Sequence, residues 1–198
     1  KRTSRRLATL GPGSVVGFLG VIHARAVVAG SVIASGPQLE ALRTEGVAVR
    51  DQGDESHPGN IAAFATADEI GPVDVVLFAV KMSDLAEAAK SCASIIGAGT
   101  KLVTFQNGVE APSVLRVIYP AAHVLPGVAY IVTSIAAPGI IEKTGPSARF
   151  EISAENAADM HSARDLVDLL ANSRIDAQLM DDATVMLWNK FIMLAATS

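Results

Sequence analysis

Two polar side chains stand just after apolar runs in the middle of the chain. Lys81 directly follows the run from Val75 to Val80, and Asn107 follows the shorter run from Leu102 to Phe105 after one intervening residue. A run that is apolar at every position is typical of a strand buried on both faces, in the middle of a parallel sheet. Ligands in open α/β sheets bind at the carboxyl ends of such strands. Lys81, a cation, and Asn107, which offers one hydrogen-bond donor and one acceptor, are therefore the first candidate ligand-binding residues.

The segments around these residues alternate between strand and helix patterns. Residues 83–96 carry apolar residues at helical spacing, with Ser83 and Asp84 suited to the helix N-terminus. Strands are predicted at 7–10, 30–36, 47–49 (as an edge strand) and 62–65, and an exposed loop at 51–60. Three more β segments, 124–136, 140–143 and 148–152, are predicted to be antiparallel and to extend the sheet at one end. The pattern predicts an α/β fold with a mostly parallel sheet flanked by helices.

Two helices are predicted in the last quarter of the chain. Residues 156–172 are amphipathic, with apolar residues on one face and acids that include Asp159 and Asp168 on the other. Asp181 or Asp182 can cap the final helix, which is apolar nearly all round. We therefore expect another surface to cover that helix, and a homodimer is one way to do so.

A glycine-rich turn beginning at Gly11 follows the first predicted strand and precedes a helical pattern at 21–28. A dinucleotide-binding loop needs this context, because its backbone N–H groups and the helix N-terminus face a pyrophosphate. The third motif position holds Val16 instead of glycine, so these residues alone leave a nucleotide loop and an ordinary turn equally open. Ser35, at the end of the second strand, is neither the acid nor the arginine that normally selects the cofactor.

Composition argues against several other classes of protein. A net charge of −4 gives no support for nucleic-acid binding. No apolar run approaches the ~18 residues that a membrane span needs. The single cysteine, Cys92, rules out an internal disulfide, favours a cytoplasmic setting and lies at an apolar helix position, which predicts a packing role. No metal site is predicted, and His57 is expected on an exposed loop without ligand partners.

In order and type, these motifs resemble the ketopantoate reductase (2-dehydropantoate 2-reductase) family. The matching stretches are GPGSVVGFLG, LEALRTEGVAVR, DVVLFAVKMSD, LVTFQNGVE, PGVAYIVTSIAAPGIIEKTGP and LWNK. The resemblance implies a Rossmann-type domain at 1–178 and the first helix of an all-helical domain at 179–198. It also implies NADPH-dependent reduction of a keto acid, ketopantoate, to pantoate, a step towards pantothenate and coenzyme A. NADP is favoured over NAD as the cofactor.

The same resemblance implies roles for particular residues. The cofactor pyrophosphate would lie on the backbone of the glycine-rich turn, whose residues are Gly11, Pro12, Gly13, Ser14, Val15 and Val16. Ser35 and Val80 would contact the rest of the cofactor, and Lys81 and Asn107 would flank both nicotinamide and substrate. Lys190, in the W-x-K of the final helix, aligns with the family's general acid. A lysine suits that role, because burial readily lowers its pKa and its ammonium can both stabilise and protonate a developing oxyanion.

Three residues depart from the family pattern and keep alternatives open. Val16 stands where glycine is usual, Ser35 where NADPH-using members carry arginine, and Leu194 where an asparagine contacts substrate. One alternative is an NAD-dependent dehydrogenase of another 2-keto or 2-hydroxy acid. The other is a non-catalytic nucleotide-binding domain of the same fold.

Overall fold

The computed structural model describes residues 6–10, 29–51, 53–57, 62–145, 148–172 and 175–197. Its strands are β1 (Arg6–Leu10), β2 (Ala29–Ile33), β3 (Ala48–Asp51), β4 (Asp54–Ser56), β5 (Ala62–Phe64), β6 (Val75–Phe78), β7 (Lys101–Thr104), β8 (His123–Tyr130), β9 (Thr133–Ala137), β10 (Ile140–Lys143), β11 (Arg149–Ile152) and β12 (Asp176–Leu179). Its α-helices are α1 (Gly36–Thr44), α2 (Leu85–Ser91), α3 (Ala111–Ile118), α4 (Ala157–Asn172) and α5 (Ala183–Thr197). Single 3₁₀ turns lie at Ala67–Glu69, Met82–Asp84 and Ala93–Ile95.

The main sheet has the order β12-β11-β8-β7-β6-β1-β2-β5. Its strand pairs are parallel except that β11 runs antiparallel to β8. Every residue of β6 is buried, as its unbroken apolar run predicts. The predicted α/β architecture, a Rossmann-type and mostly parallel sheet, is therefore confirmed.

Helices cover both faces of this sheet. Val76 and Phe78 pack in one apolar layer with α2 and α3, whereas Val75 and Leu77 pack in the opposite layer with α4. This split follows from the alternation of side chains along a strand. Cys92 is fully buried in the first layer, and burial raises the pKa of its thiol to about 12. The packing role predicted for this cysteine is confirmed.

A second, four-stranded sheet corrects three of the predictions. Its order is β4-β3-β10-β9, so β3 is an inner strand and not an edge strand. The predicted loop at 51–60 contains β4, which pairs antiparallel with β3. The β9–β10 hairpin belongs to this second sheet, so the main sheet is extended by β8, β11 and β12, and β8 runs parallel to β7 and not antiparallel as predicted. Local patterns indicate that a strand forms, whereas its pairing partners are set by contacts distant in sequence.

Helix α4 is amphipathic as predicted, but one of its acids lies on the buried side. Asp159 is 6% exposed. Its carboxylate accepts hydrogen bonds from Nδ1 of His123 at 2.6 Å and from Nδ2 of Asn156 at 2.8 Å. The predicted position of Asp159 on the exposed face is therefore wrong, because a partner at the start of β8 compensates for burying the carboxylate.

Two further sequence predictions concern the surface. His57 is exposed, as predicted, although its Nε2 lies 3.2 Å from the Glu55 carboxylate. In the part of the chain that the structure describes, no helix is both long and apolar enough to cross a membrane. The predicted helix at 21–28 lies outside the described residues.

Candidate active site

A cleft of about 470 Å³ opens at the carboxyl ends of β6, β7 and β8. Val80 and Lys81 line it just beyond β6, and Asn107 lines it beyond β7. Lys190 reaches the same cleft from α5. The structure thus brings together the three residues predicted to act on substrate, although two come from strand ends and one from a helix more than eighty residues later.

Helix packing explains why Lys190 faces the cleft. The buried residues of α5 are Ala183, Met186, Leu187 and Lys190, a spacing that forms one stripe along a helix. Met186 and Leu187 pack against Val128 of β8, which sets the rotation of the helix. The start of α5 is fixed by Asp182, whose carboxylate accepts the N–H of Val185 at 2.9 Å, confirming the predicted cap.

Lys190 is a buried cation, 8% exposed. Its ammonium donates a hydrogen bond to the carbonyl oxygen of Ala129 and lies 5.4 Å from the centroid of the Tyr130 ring. Burial lowers the pKa of Lys190 to about 8, and the nearby Glu151 carboxylate partly opposes that shift. A lysine with this pKa remains mostly protonated at neutral pH but gives up its proton more readily than an exposed one.

The carboxylate near Lys190 belongs to Glu151, a residue that the sequence pattern does not indicate as part of the site. Glu151 of β11 is 7% exposed and pairs with Arg149 at 3.0 Å. The Arg149 guanidinium stacks 4.6 Å from the centroid of Tyr130, which lies opposite it in the β8–β11 register. Burial and the Glu151 charge raise the pKa of Tyr130. The one local signal is the i, i+2 spacing of the two charges, which places both on one face of a strand.

Gln106 has no individual role in the sequence pattern, yet the structure gives it a defined position in the cleft. It is 5% exposed, and its Nε2 donates to the carbonyl oxygen of Val80 at 3.2 Å. This bond orients the amide, and its buried Oε1 has no hydrogen-bond partner among the described residues. An unpaired buried acceptor is costly, and a ligand donor would satisfy it.

Of the remaining predicted cofactor residues, the structure describes Ser35. The segment from Gly11 to Val16 lies outside the described residues. It begins after Leu10, whose register partner on β6 is Phe78, so β1 ends at the same edge of the sheet as the cleft. Ser35 is exposed and precedes α1, and its strand β2 is separated from β6 by β1. The structure therefore does not bring Ser35 into the cleft.

This geometry fits a nicotinamide nucleotide. The cleft lies at the carboxyl edge of a parallel sheet, where such ligands bind. Its lining combines apolar side chains, including Ala79, Phe105 and Ile131, with the amides of Gln106 and Asn107. Apolar walls with a few oriented polar groups are typical of cofactor sites.

Fold and cleft together define a Rossmann-type α/β protein with a buried lysine at the ligand-binding edge of its sheet. The family model for ketopantoate reductase PanE/ApbA matches residues 7–156. The chain therefore belongs to the ketopantoate reductase family.

The similar proteins found by comparison are oxidoreductases. The chain is 26% identical to 2-dehydropantoate 2-reductase of Mesorhizobium japonicum, over 93% of this chain and 63% of that protein. The crystal structure of 2-dehydropantoate 2-reductase from Porphyromonas gingivalis W83 superposes with a TM-score of 0.88 at 26% identity, covering 98% of this chain and 70% of that one.

A second solved structure shares the fold alone. D-mandelate dehydrogenase, solved with NADH and anilino(oxo)acetate, has a TM-score of 0.82 at 18% identity over 93% of this chain and 60% of its own. Compared with the Mesorhizobium relative, the present chain spans about 63% of that protein's length.

Proposed function

We propose that this protein is an NAD(P)-dependent reductase of a 2-keto acid, with Lys190 as its general acid. NADPH and ketopantoate are the first candidate pair, with pantoate for pantothenate synthesis as the product. The proposal rests chiefly on the position of Lys190, a buried lysine with a pKa of about 8 on the wall of the cleft that Lys81 and Asn107 also line. In this proposal residues 1–178 bind the nucleotide, and residues 179–198 begin a helical domain.

The chemistry assigned to Lys190 is proton donation. When bound, the reduced nicotinamide supplies a hydride to the carbonyl carbon of the acid. Negative charge then develops on the carbonyl oxygen, and the Lys190 ammonium stabilises it and transfers one proton to it, which leaves the alcohol and a neutral amine. Solvent returns the proton to Lys190 before the next cycle.

The surroundings of Lys190 prepare it for this step. The Ala129 carbonyl and the Tyr130 ring hold the ammonium in one place, while burial removes the water that would otherwise screen its charge. Asn107 would hold the cofactor or the substrate with one donor and one acceptor. We assign Lys81 and Val80 to the same nicotinamide end of the cleft, and Gly11, Pro12, Gly13, Ser14, Val15 and Val16 to the pyrophosphate.

A second candidate differs in the nucleotide. Ser35, exposed after β2, carries neither a positive charge that would pair with a 2′-phosphate nor a carboxylate that would hold a ribose diol, so it leaves room for NAD. An NAD-dependent dehydrogenase of another 2-keto or 2-hydroxy acid is therefore the alternative. A non-catalytic nucleotide-binding domain is the third candidate.

Fluorescence titration of this chain with NADPH and NADH tests the proposal. Trp188 is 46% exposed on α5, two residues from Lys190, so energy transfer to a nicotinamide in the cleft should quench it. Tighter quenching by NADPH supports the first pair, and tighter quenching by NADH supports the second. Asn107→Ala should weaken binding, whereas Asn172→Ala, on an exposed residue at the end of α4, should not. If neither nucleotide binds, the proposed function is wrong.

A further inference from the structure

A second cavity of about 290 Å³ adjoins the cleft, and the two have a common wall formed by Asn107, Ala129, Ile131, Val132 and Lys190. The residues that line the smaller cavity alone are Tyr130, Gly145, Met193 and Leu194. Its volume lies just below the range for small-molecule pockets, roughly 300–1,000 Å³. It is therefore suited to a side chain or small acid and not to a dinucleotide.

The two cavities differ in the residues that lie outside their common wall. The larger cleft contains Lys81 and the buried amide of Gln106, whereas the smaller cavity lies between the end of β8 and the last turns of α5. Leu194 follows Lys190 by four residues, so both side chains lie on one face of the helix. A carbonyl oxygen at the Lys190 ammonium would place the remainder of the acid beside Leu194.

We propose that the smaller cavity receives the carbon chain of the 2-keto acid and selects an apolar chain over a hydroxylated one. The inference rests on the proposed function, since it requires the carbonyl oxygen to lie at Lys190. It keeps the proposed reaction on a 2-keto acid but replaces ketopantoate, which carries a hydroxyl on its chain, by an acid without that hydroxyl as the preferred substrate.

The polar groups of the cavity explain the selectivity. Asn107 and Lys190 lie at its junction with the cleft, where the keto-acid head group would occupy them. The Tyr130 hydroxyl interacts with Arg149 and Glu151. Met193 is exposed, whereas Leu194 is half-buried. A hydroxyl beside Leu194 would lose part of its hydration without gaining a side-chain partner of equal strength, and we expect this to weaken binding by about ten-fold.

A matched pair of ligands tests this inference. Ketopantoate and 3,3-dimethyl-2-oxobutanoate differ only in a hydroxyl that the second lacks. Their dissociation constants would be measured by calorimetry on this chain, saturated with the oxidised form of whichever nucleotide binds more tightly, so that neither acid is reduced during the titration. We expect the acid without the hydroxyl to bind about ten-fold more tightly.

Two variants on α5 test whether Leu194 causes the preference for the acid without the hydroxyl. Leu194→Asn adds a hydrogen-bonding group of similar size to the cavity and should reduce the preference at least three-fold by improving ketopantoate binding. Ile192→Asn makes the same change at a residue that is 61% exposed, and it should leave the ratio unchanged. Circular dichroism on both variants verifies the fold. An unchanged ratio in folded Leu194→Asn would contradict the assignment of the cavity.

The outcomes distinguish a failure of the inference from a failure of the proposed function. Equal binding of the two acids, or tighter binding of ketopantoate, overturns the inference and leaves the proposed function standing. Nucleotide binding without binding of either acid also overturns the inference alone. If no nucleotide binds, the proposed function fails, and the inference fails with it.

Discussion

The Lys190 ammonium lies 5.4 Å from the centroid of the Tyr130 ring, while the backbone of the preceding residue, Ala129, accepts its hydrogen bond. Burying a charged lysine on the packed face of a helix would lower the stability of the fold without such partners. The aromatic face and the carbonyl offset part of that cost without a direct carboxylate pair, which would hold the pKa high. The result is a cation that stays in place but can release its proton.

Replacement of Lys190 by methionine should change stability in a pH-dependent way. The pKa of this lysine is about 8 in the fold, against 10.5 for an unperturbed side chain. At pH 7, below both values, the wild type carries the full cost of the buried charge, so Lys190→Met should be more stable by about 1–3 kcal/mol. Between pH 8 and 10.5 the unfolded chain binds more protons than the folded chain, so wild-type stability rises and the difference should shrink.

Urea unfolding at a series of pH values would measure this difference. Lys81→Met, at an exposed lysine, gives the background effect of losing one positive charge. A stability difference for Lys190→Met that stays constant from pH 7 to pH 10.5 would contradict the lowered pKa of Lys190.

Gly127 of β8 should tolerate no side chain. A Cβ at this position would lie 2.8 Å from Cε1 of Phe105 and 3.0 Å from the carbonyl oxygen of Thr104. We expect Gly127→Ala to lower the free energy of unfolding by about 1–3 kcal/mol, because ring and strand must both shift. Since Phe105 lines the cleft, nucleotide binding should weaken as well.

Thermal unfolding and the nucleotide titration would check the Gly127 prediction together. Gly99→Ala is the control, because a Cβ there meets no atom within 4 Å. Equal stability of the two variants would mean that the close approach of β7 and β8 is absent in solution.

Loss of the buried carboxylate of Asp159 should destabilise the junction of α4 and β8. Asp159→Ala leaves His123 and Asn156 without their acceptor, and we expect a loss of about 2–4 kcal/mol. Asp168→Ala, at an exposed acid of the same helix, should change stability by less than about 0.5 kcal/mol. Urea unfolding measures both variants, and similar losses would rule out a special role for the buried acid.

Much of the site can be predicted from the sequence because its signals are local. The run from Val75 to Val80 is apolar at every position, which is typical of a strand covered on both faces. The end of such a strand marks the ligand-binding edge of the sheet, so Lys81 and Asn107 follow from the sequence pattern alone. The cap at Asp182 is predictable for the same reason, since a cap depends on neighbours three residues away.

Other features depend on contacts between distant segments. The β9–β10 hairpin is visible in the sequence, but its pairing with β3, some ninety residues earlier, is not. The burial of Asp159 depends on His123, and the environment of Glu151 depends on the β8–β11 register.

The sequence by itself thus determined the class of fold, the edge where ligands bind and, through family resemblance, the lysine expected to donate a proton. The tertiary structure decided that this lysine is buried against Tyr130, that Gln106 is oriented by Val80, and that an apolar cavity ends at Leu194. The physical reason is the distance along the chain over which each interaction acts. Hydrophobic periodicity and capping act over a few residues, whereas burial, pKa and cavity shape depend on which surfaces the folded chain brings together.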